Sequence, residues 1–475
     1  MTLPDSQLAR LSELLATHLG LHFPRARWAD LNRGLAAASS RLGMPDTESF
    51  AHRLLAAPPT HLEIEALAAC MTVGETYFFR ERRSLDALEQ HILPERLRAR
   101  AAGERRLRLW SAGCCTGEEP YSIAMLLDRL IAKDDAWNIT LLATDINPVF
   151  LRKAAEGEYG EWSFRDTPEW IKDRYFRPQK DGRFKLDERI RKRVAFAPLN
   201  LAGDDYPSLT TGTNAMDVIF CRNVLMYFNA ERARTVIDNL YRALVDGGWL
   251  IVSPAETSSA LFSDFTTVEF DGATLYRKDA SAAAPRFVSH VSAPVADSSQ
   301  ESCHLAVVNM PAAETFQPVQ ATSPPADSGG DSVPTPAEPN QLSRAARDCA
   351  NRGQLGEAAE WCRQAIAADK FNPANQYLLA VIQQEQGQGD NAVQSLKRAL
   401  YLDPGFVLAH YALGNLCQSQ GRHVEAQRHF DNALAALRTH PPDEILPEAD
   451  GLTAGRLAEM IESMQSSRPK LAAIL

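Results

Sequence analysis

A 34-residue periodicity in the last third of the chain is the feature that most narrows the folds open to it. A glycine, two alanines and one larger apolar position recur at this spacing: Gly353, Gly387 and Gly421; Ala358, Ala392 and Ala426; Ala365, Ala399 and Ala433; Cys362, Leu396 and Phe430. Small residues at such positions let two helices approach closely, and the glycine suits the turn between them. The pattern therefore predicts a series of helical pairs.

This period resembles the tetratricopeptide repeat, present here as about 2.5–3 units. We expect the repeats over residues 341–440, and a polar capping helix around Glu448–Ser463 within a terminal segment, 441–475. Repeat arrays offer a groove for a helix or peptide, so an unknown protein or peptide is the expected partner. Self-association and a neutral scaffold are the alternative roles.

The composition changes sharply ahead of the repeats. From Ser281 to Asn340, 29 of 60 residues are proline, serine or alanine, with one basic and six acidic residues. Such a stretch has too little apolar surface to offset the entropy lost on ordering. Residues 280–340 are therefore predicted to be a disordered linker that tethers the repeats to the rest of the chain.

Charge and composition exclude several classes of protein. The formal net charge is −10, which disfavours a globally basic nucleic-acid binder. No apolar run approaches the roughly 18–20 residues of a membrane span, and the N-terminus lacks a secretory signal pattern, so we expect a cytoplasmic protein. None of the eight cysteines forms a CxxC pair or a Cys/His cluster with zinc spacing, so no metal site is predicted.

Two further regions precede the linker. Residues 1–90 show helical apolar spacing and are predicted to form a helical domain. Residues 91–279 alternate short apolar runs with helical segments, which indicates an α/β sheet that binds ligands at the carboxyl ends of its strands. A small β insertion is expected at about 161–192, with a turn at Lys180-Asp181-Gly182.

The first strand of this sheet leads into a glycine-bearing loop, Ser111–Pro120. The loop is neither a dinucleotide fingerprint nor a phosphate-binding loop, and Glu118 and Glu119 would repel a pyrophosphate while tolerating a cation. Asp145, at the end of the next strand, is placed to accept hydrogen bonds from ribose hydroxyls. A cationic adenosyl ligand without phosphate is S-adenosylmethionine. The alternative for the two glutamates is simple stabilisation of a helix start.

Four blocks in one order resemble the CheR family, chemotaxis-type methyltransferases that esterify receptor glutamates. They are GETYFFRE (74–81), WSAGCCTGEEPYSIAMLL (110–127), ATDINPVFLRKA (143–154) and DVIFCRNVLMYF (217–228). The resemblance covers about residues 15–278, and the repeats match its tetratricopeptide-bearing subtype. It implies a multidomain α/β plus all-α chain: a helical N-terminal domain, a class I Rossmann-like methyltransferase domain with a β insertion, and C-terminal repeats. It also implies recruitment to receptor clusters.

The resemblance assigns site residues by motif. The catalytic pair would be Arg80 and Tyr227, near the transferable methyl group. The residues expected to bind S-adenosylmethionine, and its product S-adenosylhomocysteine, are Gly74, Thr76, Arg80, Glu119, Asp145, Asn200, Leu201, Cys221, Arg222 and Asn223. Many relatives have asparagine at the position of Gly74, and many have GHSE where this chain has Ser253-Pro254-Ala255-Glu256.

Methyl transfer to a glutamate needs no general base, because a carboxylate with an ordinary pKa of about 4.3 is already ionised at pH 7. Arg80 suits a forked pair with either the substrate carboxylate or the carboxylate of the cofactor. Tyr227 suits either a single hydrogen bond or an apolar pocket wall. Phe78 and Phe79 are expected to be core anchors, and Cys114 and Cys115 to fill space.

The predicted protein substrate is the helical cytoplasmic domain of a chemoreceptor-like protein. One short segment contains four arginines and a single acidic residue, Asp30; the arginines are Arg25, Arg27, Arg33 and Arg41. The resemblance implies that this basic helix lies against acidic receptor helices, with Arg33 and Arg41 as the best contacts; a solvated charged face is the alternative. Two other functions remain open here: a class I methyltransferase acting on a different carboxylate or protein, and a non-catalytic adaptor.

Overall fold

The computed structural model describes residues 3–101, 103–131, 137–203, 205–279, 287–289 and 339–466. Most of the predicted linker, 280–340, and residues 467–475 of the predicted tail lie outside these ranges. No helix among the described residues has both the length and the apolar character needed to cross a membrane.

Four helices form the N-terminal domain: α1 (Asp5–Leu19), α2 (Trp28–Arg41), α3 (Thr47–Ala56) and α4 (His61–Met71). Their leucines make one buried core, in which Leu11, Leu15, Leu31 and Leu35 are fully covered. A capping box starts α4, because the Thr60 side chain accepts from the Glu63 amide while the Glu63 carboxylate accepts from the Thr60 amide. Two short helices, α5 (Arg82–Ala87) and α6 (Leu93–Arg100), then lead to the sheet.

The strands of the second region are β1 (Arg106–Ala112), β2 (Asn138–Asp145), β3 (Glu158–Tyr159), β4 (Phe176–Pro178), β5 (Phe184–Leu186), β6 (Val194–Pro198), β7 (Met216–Phe220), β8 (Leu244–Ile251), β9 (Thr266–Phe270), β10 (Ala273–Arg277) and β11 (Phe287–Ser289). Its helices are α7 (Glu118–Leu130), α8 (Pro148–Glu156), α9 (Glu169–Tyr175), α10 (Glu188–Arg191) and α11 (Ala230–Ala243).

Eight of these strands form one sheet in the order β11-β9-β10-β8-β7-β1-β2-β6. The five strands from β6 to β8 are mutually parallel, and β10 runs antiparallel to β8 and β9. The chain moves outward from β1 to β2 and β6, then crosses back to β7 on the other side of β1. This reversal opens a crevice at the carboxyl ends of β1 and β7, which is where such sheets bind ligands.

A second sheet, β3-β5-β4, is antiparallel and lies between β2 and β6 in sequence. It is tied to the main domain by an aromatic cluster around Phe78, whose ring lies 4.8 Å from Tyr159, 5.2 Å from Phe164 and 5.0 Å from Phe176. Phe78 is completely buried, which confirms the prediction that it is a core anchor.

The repeats form three helical pairs: α12 (Pro339–Asn351) with α13 (Leu355–Ala368), α14 (Pro373–Glu385) with α15 (Gly389–Leu402), and α16 (Val407–Ser419) with α17 (His423–Leu437). A last helix, α18 (Ala454–Ser466), follows. The three repeat glycines lie at the turn inside each pair with φ of 78°, 76° and 75°, as predicted. The repeated alanines are buried between helices. The predicted fold class, multidomain α/β plus all-α, is confirmed.

The repeats dock against the amino ends of β1 and β2. Glu385, the last residue of α14, lies between two guanidinium groups, with its carboxylate 2.8 Å from Nη1 of Arg106 and 2.6 Å from Nη1 of Arg108. All three side chains are less than a tenth exposed. Asn138 also donates from Nδ2 to the Glu385 carbonyl, at 2.9 Å. This contact places the repeats at the end of the sheet opposite the crevice.

A loop before β7 reinforces this docking. Leu209 is buried in an apolar cluster contributed by α12, α13 and α14. The Ser208 hydroxyl donates to Asp450, on the segment between α17 and α18, at 3.1 Å, and Asp450 also pairs with Arg347 of α12. The α/β region and the repeats are therefore joined by apolar packing as well as by buried charges.

Candidate active site

A cavity of about 320 Å³ occupies the crevice at the carboxyl ends of β1, β2 and β7. One wall comes from the sheet and its loops. The opposite wall comes from the N-terminal domain, through Leu19 and Leu21, and from the segment that follows α4, Thr72 to Arg80. The cavity therefore lies between two domains, and its volume falls within the range of small-molecule sites.

The loop after β1 shapes the floor of the cavity. Gly113 has φ of +85°, and a Cβ there would lie 2.4 Å from Val224, so both the backbone angle and the space require glycine. The amides of Gly113 and Cys114 both donate to the Thr144 carbonyl, at 2.8 and 2.9 Å. These bonds fasten the loop to the end of β2 and bring it beside Asp145.

Asp145 ends β2 and lines the cavity. Its carboxylate accepts from the amides of Cys115 and Asn147, each at 2.8 Å. Burial raises its pKa to about 6, although those amide bonds act in the opposite direction. A buried carboxylate held by two amides keeps lone pairs free for a ligand that donates hydrogen bonds, such as a ribose diol.

Glu119 belongs to a charged network behind the cavity. Its carboxylate accepts from the Ser111 hydroxyl at 2.7 Å and lies 3.2 Å from Nη1 of Arg222. Arg222 in turn pairs with Glu81 at 3.0 Å and donates to the Arg80 carbonyl at 2.6 Å. Burial raises the pKa of Glu119 while Arg222 lowers it. Arg222 thus joins the loop after β7, the first turn of α7 and the segment before α5.

The two neighbouring glutamates have separate roles. Glu118 does not line the cavity; its carboxylate accepts from the hydroxyls of Thr116 and Ser163, at 2.7 and 3.0 Å. Ser163 lies in the β insertion, so Glu118 ties that insertion to the start of α7. The sequence analysis left open whether this pair contacts a ligand or only stabilises the helix start. In the structure Glu119 lines the cavity, whereas Glu118 holds the insertion against α7.

Arg80 lies on the segment that covers the cavity. Its guanidinium donates to the Glu75 carbonyl and lies 5.8 Å from the ring of Tyr77. The guanidinium carbon of Arg165 lies 3.8 Å from the centre of the same Tyr77 ring. Arg165 also pairs with the Glu75 carboxylate. The insertion therefore braces the segment that carries Arg80, through Arg165.

The loop after β7 carries Asn223 and Tyr227. Asn223 has φ of 58°, and its amide donates to Glu256 at 2.7 Å; the amide of Met226 donates to the same carboxylate at 3.3 Å. Glu256 is itself fixed by a capping box with Ser253. Glu256 and Glu81 support the site from behind its lining residues, and the sequence analysis assigned a role to neither. The Ser-x-x-Glu spacing of 253–256 could have indicated the first, and the second is the last residue of the GETYFFRE block.

Eight of the predicted site residues line the cavity together with Tyr227: Thr76, Arg80, Glu119, Asp145, Asn200, Leu201, Arg222 and Asn223. Gly74 and Cys221 are not among the lining residues. A Cβ on Gly74 would meet Phe150 at 2.7 Å, and Cys221 is completely buried at the end of β7. The side chain of Asn200 donates to the His18 carbonyl at 2.8 Å, so it joins the two domains. Arg33 and Arg41 lie outside the cavity, exposed on α2.

The cysteines of the loop are not nucleophiles. Burial raises the pKa of Cys114 far above its usual value and that of Cys115 to about 12, so both thiols stay protonated near neutral pH. No group of three or more His, Cys, Asp or Glu side chains among the described residues is arranged to hold a metal ion.

The donor and acceptor set of the cavity fits S-adenosylmethionine. Glu119 and Asp145 line the cavity with Glu75, beside the guanidinium groups of Arg80 and Arg222 and a larger number of apolar side chains. The carboxylates would hold a ligand that carries an ammonium group and ribose hydroxyls, and an arginine would suit the carboxylate of the same ligand.

Comparison with known proteins agrees with this geometry. Residues 74–273 match the family model described as CheR methyltransferase, SAM binding domain, and residues 374–406 and 409–445 match tetratricopeptide repeat models. A probable biofilm formation methyltransferase WspC of Pseudomonas aeruginosa is 31% identical over 88% of this chain and 96% of its own length. The WspC of Pseudomonas putida is 29% identical over 90% and 98%. Chemotaxis protein methyltransferase 2 of Vibrio cholerae is 31% identical over 58% and 94%.

All three relatives are matched over nearly their whole length, and the two WspC matches cover 88% and 90% of this chain. S-adenosylmethionine is accordingly the methyl donor. The chain belongs to the CheR methyltransferase family, in the form that carries C-terminal tetratricopeptide repeats.

Proposed function

We propose that this protein methylates glutamate side chains on the helical signalling domain of a chemoreceptor-like protein, giving glutamyl methyl esters. The relatives named as chemotaxis protein methyltransferases support this assignment at the level of the pathway. The side chain that receives the methyl group is inferred from the chemistry of the cavity.

The observation that carries the proposal is the engaged state of the acidic groups in the cavity. Glu75 pairs with Arg165, Glu119 with Arg222 and Ser111, and Asp145 with two backbone amides. No histidine or lysine occurs among the described residues that line the cavity. A lysine or alcohol acceptor would need a base to remove its proton, whereas a carboxylate is ionised already.

When bound, S-adenosylmethionine supplies an electrophilic methyl group attached to a sulfonium sulfur. The chain's own contribution is to strip water from the incoming carboxylate and hold one of its oxygens in line with that methyl group. Positioning of this kind contributes up to roughly 7–11 kcal/mol in well-oriented systems. No proton moves to or from a protein side chain in this transfer.

Arg80 and Tyr227 are the groups we assign to that positioning. Both line the cavity, and neither takes part in the Glu119–Arg222 ion pair. The Arg80 side chain is a quarter exposed, and its Nε lies 3.8 Å from the Glu81 carboxylate, a long contact that leaves other N–H groups of the guanidinium available to an approaching carboxylate. Burial raises the pKa of the half-buried Tyr227, which keeps its hydroxyl protonated and able to donate one hydrogen bond.

The exposed face of α2 is the proposed docking surface for the receptor. Arg33 and Arg41 stand on this face, and α2 belongs to the same domain that forms one wall of the cavity. A receptor helix rich in glutamate would be attracted to it and brought towards the cavity. Esterification would then remove a negative charge from the receptor and shift its signalling equilibrium.

The test is transfer of radiolabelled methyl groups from S-adenosylmethionine to membranes that contain candidate receptors from the same organism. We expect label that is released by mild base, as an ester must be. Arg80→Ala should lower incorporation by at least about 100-fold if the arginine orients the carboxylate. Arg82→Ala, an exposed arginine two residues away, is the matched control and should retain activity.

Label that resists base would contradict glutamate as the acceptor. Full incorporation by Arg80→Ala would contradict the positioning role of Arg80. Binding of S-adenosylhomocysteine by each variant, measured in parallel, separates a loss of chemistry from a loss of the cofactor site.

A further inference from the structure

The last helix of the chain, α18, touches all three folded parts of the molecule. Its apolar side chains Leu457, Met460 and Ile461 are buried against the repeats. Arg456 and Glu459 instead point towards the methyltransferase domain and the N-terminal domain. The helix predicted only as a polar cap for the repeats therefore also forms contacts on its other side.

Five charged groups form a chain of alternating sign across these parts. Glu65 lies 3.4 Å from Nε2 of His61, and Nδ1 of His61 lies 3.1 Å from Glu459. Glu459 lies 3.1 Å from Arg456, whose Nε is 3.8 Å from Asp205. His61 and Glu65 belong to α4, and Asp205 follows β6. The side chains are each about a third exposed or less, so solvent screens these pairs only in part.

This chain of charges closes a cleft directly behind the cofactor cavity. Residues of α18, α4 and the loop after β6 line the cleft, and three residues line both spaces: Ile146, Leu199 and Asn200. The wall between the cavity and the cleft is thus a single layer of residues. Its position depends on what holds the loop after β6 against α4.

Few other bonds described in the structure hold the two domains together at this wall. The Asn200 side chain donates to the His18 carbonyl at 2.8 Å, and Asn147 donates to the Thr72 hydroxyl at 2.8 Å. The pairs made by Glu459 and Arg456 cross the same junction from outside. A change in the position of α18 would therefore be transmitted to the wall that the cofactor contacts.

We propose that α18 is a strap that fixes this wall of the cofactor cavity, with Glu459 and Arg456 as positioning residues and the repeats as the support that holds the strap in place. The repeats then contribute to cofactor affinity in addition to any partner that they bind. This inference depends on the cofactor and not on which side chain accepts the methyl group.

The test is calorimetric titration of the full-length protein with S-adenosylhomocysteine. Glu459→Gln removes the pairs to both His61 and Arg456 and should weaken binding about three- to tenfold, the range for partly screened pairs. Glu462→Gln, an exposed acid on the same helix, is the matched control and should bind as the wild type does. In activity assays, Glu459→Gln should raise the KM for S-adenosylmethionine and leave kcat within twofold.

Two results would overturn the strap. One is an affinity of Glu459→Gln within twofold of wild type. The other is full additivity of Glu459→Gln with His61→Gln, because two changes that break the same pair should together cost little more than one. His61→Gln approaches the same pair from α4, so it tests the proposal even if a change on α18 disturbs the repeats. Neither measurement uses a receptor, so failure here is separate from failure of the glutamate assignment.

Discussion

Asp145 is a carboxyl group whose surroundings oppose its charge. Burial raises its pKa from 3.8 to about 6, and the amides of Cys115 and Asn147 recover only part of that cost. Between these two pH values the folded protein binds more protons than the unfolded chain, so ionising Asp145 lowers the free energy of unfolding as the pH rises. The charge of Asp145 therefore does not stabilise the unliganded protein.

A pH dependence of cofactor affinity follows from this pKa. The ionised Asp145 carboxylate would accept hydrogen bonds from both ribose hydroxyls, whereas the protonated acid has one oxygen occupied by its own proton. The affinity for S-adenosylhomocysteine should therefore fall as the pH falls below about 6. At pH 5 roughly a tenth of Asp145 is ionised, and we expect about tenfold weaker binding than at pH 7. Asp145→Asn should bind weakly and lose most of this dependence, and calorimetry over pH 5–7 measures both. A wild-type affinity that is flat over this interval would contradict the role given to Asp145.

For single residues, the sequence predicts well which residues lie near the site and less well which of them line the cavity. The motifs identified Asp145, Glu119 and Arg222 because strand ends and loop sequences are local. They also selected Gly74 and Cys221, which the fold uses for packing. The role of Glu256 could not be predicted in this way, because its carboxylate accepts hydrogen bonds from amides 30 and 33 residues earlier in the chain.

Among the elements, the repeats were the most predictable, because each helical pair repeats one local pattern. The crossing of α16 and α17 shows how tight that packing is. A Cβ placed on Gly414 would lie 2.4 to 2.9 Å from three atoms of the Phe430 ring, which is completely buried. The ring has filled the space that a side chain on the facing helix would need.

Gly414→Ala should therefore destabilise the repeats by about 1–3 kcal/mol, since overpacking exceeds the gain in helix propensity from alanine. Gly389→Ala is the matched control: the nearest atom to its Cβ would be the flexible amide of Gln420, at 3.8 Å, and the helix should be unchanged or slightly more stable. Thermal unfolding followed by circular dichroism compares the two. Equal melting temperatures would show that Phe430 can move aside.

The helix α18 was harder to predict in its function. A polar capping helix was expected around Glu448–Ser463, and the helix runs from Ala454 to Ser466 with an apolar side of Leu457, Met460 and Ile461. A cap must cover the last repeat, so an apolar stripe is within expectation. The partners of its charged side, His61 and Asp205, lie hundreds of residues away, and no local spacing could indicate them.

The predicted linker suggested repeats that are tethered to the rest of the molecule but move independently of it. The structure instead docks them, through the buried contact of Glu385 with Arg106 and Arg108. One carboxylate pairs with two guanidinium groups. In the described part of the chain, no hydrogen-bond acceptor is present for three of their nitrogens: Nε and Nη2 of Arg106 and Nε of Arg108. Burial of unpaired donors is costly, so the contact is specific without being strongly favourable. Loss of the carboxylate would leave both arginines uncompensated.

Glu385→Gln should therefore release the repeats from the sheet. Removing one partner of a buried ion pair typically costs about 3–5 kcal/mol, and undocking avoids that cost by returning both arginines to water. Small-angle scattering should show a larger radius of gyration than for the wild type, while Glu357→Gln, an exposed acid on α13, should leave it unchanged. A compact Glu385→Gln protein would mean that the apolar contacts of Leu209 suffice for docking.

The contact between Arg106 and Glu385 also sets an order of events on the ribosome, because 279 residues separate them. At about 5–20 residues per second, roughly 14–56 s pass between the synthesis of the first strand and that of its acidic partner. Until the chain reaches Glu385, water solvates the two guanidinium groups at the amino end of β1. The repeats therefore dock on a sheet whose strands have all been synthesised before them.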